Sequence, residues 1–180
     1  GVVSNSGTTL ADASSTNAPS ALGSAGMGVA AGIAVVDNDA YLSGDPVFAG
    51  PTAVNVTAGM PEAATNTFSV SAISGASSGS FGATGAFALN VSVVSSDAYL
   101  AGNTVLRGGG ADLSVTAVNR TSSTVKATGQ KAGATGFGAG GSFALNVGVN
   151  TARAEIAGTA SLLDVGDLSL AATGEHLLST

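Results

Sequence analysis

One passage occurs three times along the chain, and this repetition restricts the fold more than any other feature. The copies read GAFALNVSVVSSDAYLAG at 85–102, GSFALNVGVNTARAEIAG at 141–158 and, with more differences, MGVAAGIAVVDNDAYLSG at 27–44. Their spacing is regular, because Asp97 follows Asp39 by 58 positions and Arg153 follows Asp97 by 56. Self-similarity at a near-fixed period is typical of supersecondary units that stack on one another.

Large apolar residues alternate with small or polar residues within each copy. In the second copy, one face consists of Phe87, Leu89, Val91 and Val93, and the other of Ala88, Asn90 and Ser92. The same alternation runs through the other two copies. A period of two is typical of β-strands, whose successive side chains point to opposite faces. We expect the large apolar face to point into the core and the small, polar face to point to solvent.

Three further alternating runs follow in each copy. The first of these has an apolar side formed by Leu42, Leu100 and Ile156 and an opposite side formed by Tyr41, Tyr99 and Glu155. The next runs lie at 54–58, 113–117 and 168–172, and the last at 68–72, 125–127 and 177–179. Short runs separated by Gly, Asn and Asp, without helical periodicity, indicate an all-β protein.

These runs together predict a parallel β-helix, or β-solenoid, built from about three repeats of 56–58 residues. The whole chain is expected to form one segment, with the end of a preceding repeat at 1–23 and repeats at 24–76, 77–132 and 133–180, the last truncated. Two coil sizes fit such a repeat, namely three coils of about 19 residues or two of about 28, and we favour the former.

The composition excludes several classes of function. Charged residues make up 9 % of the chain, and 11 acidic residues outnumber 5 basic ones, which disfavours nucleic acid binding. Cysteine is absent, so neither disulfides nor thiolate metal sites are available. The longest apolar stretch, 25–36, is well short of the roughly 20 residues that span a bilayer, so no membrane insertion is expected.

Several of the repeated residues carry a resemblance to a known group of proteins. The third copy contains GSFALNVGVN, RAEIAG and VGDLSLAAT, and the second contains ALNVSVV and GADLSVTAV. In these residues the chain resembles the repeats of filamentous haemagglutinin-like and other giant repetitive bacterial surface adhesins, which are secreted by two-partner or autotransporter pathways. The resemblance implies a parallel β-helix fibre on the cell surface, with binding activity in scattered modules.

Two short motifs suggest catalysis or nucleotide binding only superficially. GASSG at 75–79 fits the nucleophile-elbow pattern around Ser77, but the elbow needs a strand-to-helix turn and a histidine base, and the one histidine is His176. Gly136, Gly138 and Gly141 fit GxGxxG, yet they precede a predicted strand instead of a helix. We therefore expect no enzyme activity and no cofactor.

An acidic group at Asp37, Asp39 and Asp45 raises the question of a calcium site, since Ca²⁺ prefers oxygen ligands. Tandem calcium sites are expected to recur with the repeat, but Ser95 and Arg153 replace acids in later copies. We interpret these residues as solvated turn acids, with Ca²⁺ as the alternative.

A strip formed by Tyr41, Tyr99 and Glu155 is the candidate binding site, because these residues are predicted to face outward at equivalent positions. Its expected ligands are host or surface glycans, although packing under a neighbouring loop also explains the tyrosines.

The expected function is a non-catalytic structural stalk of a secreted bacterial adhesin or cell-surface fibre, located outside the cell and connected with biofilms. The alternative is a subunit of an extracellular filament, in which copies of the chain stack end to end through uncapped coils. The expected partners are accordingly neighbouring repeats or other copies of the chain.

Overall fold

The computed structural model describes residues 6–14, 23–49, 53–61, 63–77, 81–132 and 137–180, and these residues contain strands and no helix. The all-β prediction is therefore confirmed. The strands are β1 (Ser6–Ser14), β2 (Ser24–Leu42), β3 (Ala53–Gly59), β4 (Asn66–Ser77), β5 (Phe81–Leu100), β6 (Val105–Arg107), β7 (Asp112–Ala132), β8 (Phe137–Ile156), β9 (Ser161–Leu163) and β10 (Leu168–Ser179). A helix long and apolar enough to span a membrane is not found among the described residues.

The three copies of the repeated passage lie side by side in one parallel sheet, which we call the long sheet. Its strand order is β2-β5-β8, and it places Asp39 beside Asp97 and Asp97 beside Arg153. Each residue thus pairs with its counterpart in the next copy. The interval that relates the copies in sequence is also the interval that relates paired strands in space.

The chain returns through a second parallel sheet, the return sheet, with the order β1-β4-β7-β10. Both β3 and β4 pair with β7. The first copy therefore has two strands where the second copy has the single strand β7. The segment between them begins at Gly59, where φ is 133° and a Cβ would overlap the backbone of Val118. A small third sheet, β6-β9, lies at the turn between the two larger ones.

This pairing corrects the predicted coil size. The chain returns to a neighbouring position after one full repeat, not after a third or a half of it, because β5 alone runs from Phe81 to Leu100. The alternating run that ends at Val93 and the next run, which contains Leu100, form one strand, because the serine and aspartate residues between them do not interrupt the ladder. Parallel sheets in this arrangement are compatible with a β-helix.

The direction of the alternating faces also differs from the prediction. Ala88 is fully buried and Asn90 is 2 % exposed, whereas Phe87 is 39 % exposed and Ile33 is 79 % exposed. Where β2 lies against β4, the two sheets approach too closely for large side chains on β2 to fit between them. A Cβ on inward-facing Gly32 would lie 2.6 Å from Cγ2 of Val70, and one on Gly28 would overlap the Ile73 carbonyl.

Two apolar clusters fill the space between the sheets. The first contains Val54, Val56, Ala58, Ala98, Leu100, Leu106, Ala111, Leu113, Val115 and Ala117. The second contains Ala30, Val70, Ala72, Ala86, Ala88 and Val125. Residues from both sheets contribute to each cluster, so the core lies between the sheets and is built largely from Ala and Val.

A polar layer separates the two apolar clusters. The Asn90 side-chain amide donates to Ser123 Oγ at 2.7 Å and to Asn146 Oδ1 at 3.2 Å, so it links both sheets and two successive copies. The Asn119 amide donates to the carbonyl oxygens of Val94 at 2.9 Å and Thr151 at 3.2 Å. These buried polar groups are hydrogen-bonded, as burial requires.

Candidate functional site

The surface of the long sheet that faces away from the core carries most of the exposed large apolar residues. We call its apolar part the outer apolar face. It comprises Met27, Val29, Ala31, Ile33 and Val35 of β2, Phe81, Phe87, Leu89, Val91 and Val93 of β5, and Phe137, Phe143, Leu145, Val147 and Val149 of β8. Since equivalent residues pair, the face consists of rows of similar side chains that run across the strands.

Aromatic residues in this face stack on their counterparts. The rings of Phe87 and Phe143 have centroids 5.4 Å apart at an interplanar angle of 10°, and those of Phe81 and Phe137 are 6.1 Å apart at 20°. Offset stacking of this kind stabilises aromatic pairs beyond their burial, by about 0.5–1.5 kcal/mol. It also keeps the rings aligned across neighbouring strands.

The outer surface of the return sheet is different in composition. Its outward residues along β4 and β7 include Ser69, Ser71, Ser114, Thr116, Ser122, Thr124 and Lys126. A sheet face that lies in water is expected to carry polar residues, as the solvated face of an antiparallel sheet does. The exposed large apolar residues are therefore concentrated on the long sheet, although Leu10 of β1 and Leu177 of β10 are also exposed. Contiguous apolar surface of this size marks an interaction site in soluble proteins.

The outer apolar face ends in a polar strip at the carboxyl end of the same strands. Its rows are Asp37, Ser95 and Thr151, then Asp39, Asp97 and Arg153, then Tyr41, Tyr99 and Glu155. The three residues predicted as a binding strip thus form one row, and they point away from the core. Tyr41 stacks on Tyr99 with centroids 5.4 Å apart and an interplanar angle of 15°. Neighbouring-ring contact accounts for the position of both tyrosines.

Charge is unevenly distributed along this tyrosine–acid strip. Arg153 Nε lies 3.3 Å from Asp97 Oδ1, and Arg153 Nη1 lies 3.0 Å from Glu155 Oε2. The Ser95 hydroxyl donates to Asp37. Desolvation raises the pKa of Asp39, with further upward contributions from Asp37 and Asp97, while Arg153 lowers it. The strip is thus acidic on the β2 side and partly neutralised on the β8 side.

The acidic residues considered for calcium are grouped differently from the prediction. Carboxylate oxygens of Asp37, Asp39 and Asp97 lie within 4.8 Å of one another, so Asp97 and not Asp45 completes the group. Three single oxygens supply half or less of the six to eight ligands that Ca²⁺ takes. The Arg153 guanidinium also binds one of them. The three carboxylates therefore form a cluster of like charges, and the positive charge of Arg153 partly offsets their repulsion.

The described residues of the two motifs that suggested catalysis or nucleotide binding belong to strands. GASSG begins within β4, which ends at Ser77, and its remaining residues lie outside the described ranges. Of the GxGxxG glycines, Gly136 lies outside the described ranges, whereas Gly138 and Gly141 belong to β8. Neither glycine opens a helix, which a dinucleotide site requires. His176 lies on β10 against Gly148 of β8. Ser77 is the last residue of β4, and β7 lies between β4 and β10.

The outer apolar face was not anticipated from the sequence, because the large residues were assigned to the core. A signal was nevertheless present. Glycine occupies the opposite face at Gly28, Gly32 and Gly148, and a strand that presents glycine and alanine on one side fits a narrow interior. No protein-family model, curated protein or solved structure matches this chain.

Proposed function

We propose that the chain is a structural stalk segment of a secreted bacterial surface adhesin, a β-solenoid of about three repeats with no catalytic role. The observation that carries this proposal is the pairing register. Every residue of β5 from Phe81 to Leu100 has its repeat counterpart beside it in β8, and most also have one in β2. Such pairing extends by adding further copies, which is what a stalk requires.

The interior supports the same proposal. Asn90 and Asn146 are equivalent residues in successive copies and are joined by a hydrogen bond of 3.2 Å. Side-chain ladders of this kind connect one layer with the next in addition to the backbone ladder. A rod built this way transmits load through many parallel hydrogen bonds. The resemblance to giant repetitive adhesins supports a location outside the cell for such a rod.

Single-molecule pulling tests the proposal. With the 180-residue chain held between handles, we expect discrete unfolding steps, each releasing about 200 Å of contour length, the extended length of one repeat. Repeats that behave as nearest-neighbour units unfold one after another. A single step for the whole chain, or smooth extension at low force, would contradict the stalk proposal.

A second candidate function is a filament subunit, favoured by the strand edges. Within the described residues, β2 and β8 each pair on one side only, and each presents an unpaired edge of about twenty residues. Stacking β8 of one copy on β2 of the next continues the ladder. Electron microscopy distinguishes the two functions: long filaments whose length grows with protein concentration support the subunit, and short particles support the stalk segment.

A further inference from the structure

The outer apolar face has no partner within the described chain, although it extends across all three strands of the long sheet. Its rows extend from Phe81 to Val93 along β5, with Phe143, Val147 and their neighbours beside them on β8. Side chains such as Ile33 and Val35 of β2 are 79 % and 74 % exposed. Covering them removes apolar surface from water, which is favourable by about 25 cal/mol per Å².

The size of this face matches what a stable dimer needs. Three strands spaced about 4.8 Å apart, followed over 13 residues at about 3.3 Å each, give roughly 600 Å². Two such faces in contact bury roughly 1,200 Å², which is the lower end of the range for specific protein–protein interfaces. A second sheet suits such a face, since sheets pack face to face at about 10 Å.

Charge decides how the two sheets are oriented. The tyrosine–acid strip lies at one end of the face and carries four acidic residues, Asp37, Asp39, Asp97 and Glu155, against the single cation of Arg153. The opposite end, near Ala83 and Ala139, is uncharged. If the strands of two copies ran in the same direction, the two acidic strips would lie opposite each other and repel. If they run in opposite directions, each strip extends beyond the neutral end of the other copy.

We propose that the outer apolar face binds the same face of a second copy of this chain, with the long-sheet strands of the two copies antiparallel. The contact is isologous, because a two-fold axis parallel to the stacking direction relates the copies. β5 of one copy then lies over β5 of the other, with the rows near Phe87 at the centre. This lateral contact is separate from the stalk function and from edge-to-edge stacking, since it uses the face and leaves the edges free.

Sedimentation velocity on the full 180-residue chain over about 1 to about 100 µM tests the contact. We expect a dimer that dissociates on dilution. Val91→Lys, on the central strand of the face, should raise the dimer dissociation constant at least 100-fold, because a lysine there is desolvated without a partner. Thr116→Lys is the matched control: it adds the same charge to the central strand of the return sheet, and it should leave the dimer unchanged.

Circular dichroism checks that the strands are intact in both variants. We expect intact strands, because both positions face outward. A chain that is monomeric throughout this range overturns the proposal, as does a Val91→Lys protein that dimerises as well as the Thr116→Lys control. Binding of the monomer to phosphatidylcholine vesicles or to an insoluble polysaccharide, without dimer formation, also overturns it and assigns the face to another occupant.

The orientation has its own measurement, because the chain contains no cysteine. A single spin label on Ser95→Cys lies near the acidic end of the face. Antiparallel strands place the two labels of a dimer about 50 Å apart, whereas parallel strands place them within about 15 Å. Pulsed electron paramagnetic resonance separates these distances. The shorter one contradicts the proposed orientation.

Discussion

At the scale of single residues, buried polar groups contribute most to the register of this fold. Asn90 donates to Ser123 across the sheets and to Asn146 across the copies, and both acceptors lie in the polar layer. A shift of one residue would turn Asn90 to solvent and bring Leu89 into a space that accommodates alanine and serine. Asn90 thus stabilises the native register and also makes a register shifted by one residue unfavourable.

Replacement of this asparagine tests that role. Asn90→Ala removes two hydrogen bonds and leaves Ser123 and Asn146 with fewer partners, so we expect the free energy of unfolding to fall by about 1–3 kcal/mol. Urea denaturation measures it. Asn55→Ala, at an exposed position of β3, is the control and should change stability by less than about 0.5 kcal/mol. Equal effects of the two substitutions would contradict the role of the polar layer.

Glycine on the inward face gives a second residue-scale prediction. A Cβ on Gly28 would overlap the Ile73 backbone, whereas one on Gly141, which lies on the outward side of β8, would meet open space. Gly28→Ala should therefore lower the free energy of unfolding by about 1–3 kcal/mol through overpacking. Gly141→Ala should be neutral or stabilising by a few tenths of a kcal/mol, because it only restricts the unfolded chain. Thermal unfolding of the pair is the measurement, and a stabilised Gly28→Ala protein contradicts the narrow interior.

The acidic strip gives a prediction about pH. The pKa of Asp39 is raised by desolvation and by Asp37 and Asp97, so the folded state binds a proton at this site more readily than the unfolded state. The resulting penalty is absent below the unfolded pKa, grows as pH rises from the unfolded pKa to the folded one, and is constant at higher pH. Asp39→Asn should therefore stabilise the protein at pH 7, and this gain should vanish near pH 3.

Salt provides the control for this electrostatic effect. The stabilisation by Asp39→Asn should shrink in 1 M NaCl, because salt screens exposed charges. Asp45→Asn, an exposed residue outside the cluster, should have little effect at either pH. Urea denaturation of both variants across this pH range gives the comparison. A gain for Asp39→Asn that is independent of pH and salt would point to a different cause.

At the scale of elements, the sequence predicted the existence of the strands better than their length or direction. Alternation in 85–93 identified a strand, and the repeat identified parallel partners. The length of β5 could not be predicted, because Ser95 and Ser96 are poor strand signals in the sequence. They are tolerated because β2 and β8 pair with them on both sides. The side of these strands that faces the core could not be predicted either, because large apolar residues are usually buried. Only the close approach of the two sheets places the small residues inside.

The continuity of β5 can be tested at Ser95, between the two runs that the sequence pattern predicts. Ser95 lies in the centre of the long sheet, with Asp37 on one side and Thr151 on the other. Ser95→Pro removes a backbone donor from a central strand, which should cost about 3 kcal/mol or more in unfolding free energy. Ser95→Thr keeps the donor and favours strands, so it should be nearly neutral. If proline is tolerated as well as threonine, a turn lies there instead of a continuous ladder.

At the scale of the whole molecule, the predicted all-β architecture is confirmed, and the predicted coils of about 19 or about 28 residues are wrong. One repeat per coil makes the molecule broad and shallow. The 20 residues of β5 extend about 66 Å, whereas three stacked strands rise only about 14 Å. The tyrosine row at Tyr41 and Tyr99 could be placed from the sequence, because its position depends only on the repeat interval.

Lengthening the chain tests this geometry. Inserting one further copy of residues 81–136 should increase the long-sheet stack by about 4.8 Å and leave the strand length unchanged. Small-angle X-ray scattering on the original and lengthened chains measures both dimensions. An increase of about 14 Å would instead support three coils per repeat and would contradict the pairing described here.

The coincidence of the repeat interval with the pairing interval has a consequence for how such a protein can evolve. Unequal recombination between two copies of the coding repeat removes or duplicates one whole layer of strands. Neighbours that derive from the second and third copies meet with Asn opposite Asn and Phe opposite Phe, as Asn90 meets Asn146 and Phe87 meets Phe143. Changes in the number of such copies therefore keep the pairing register, and gene variants that differ in length can arise in single recombination events.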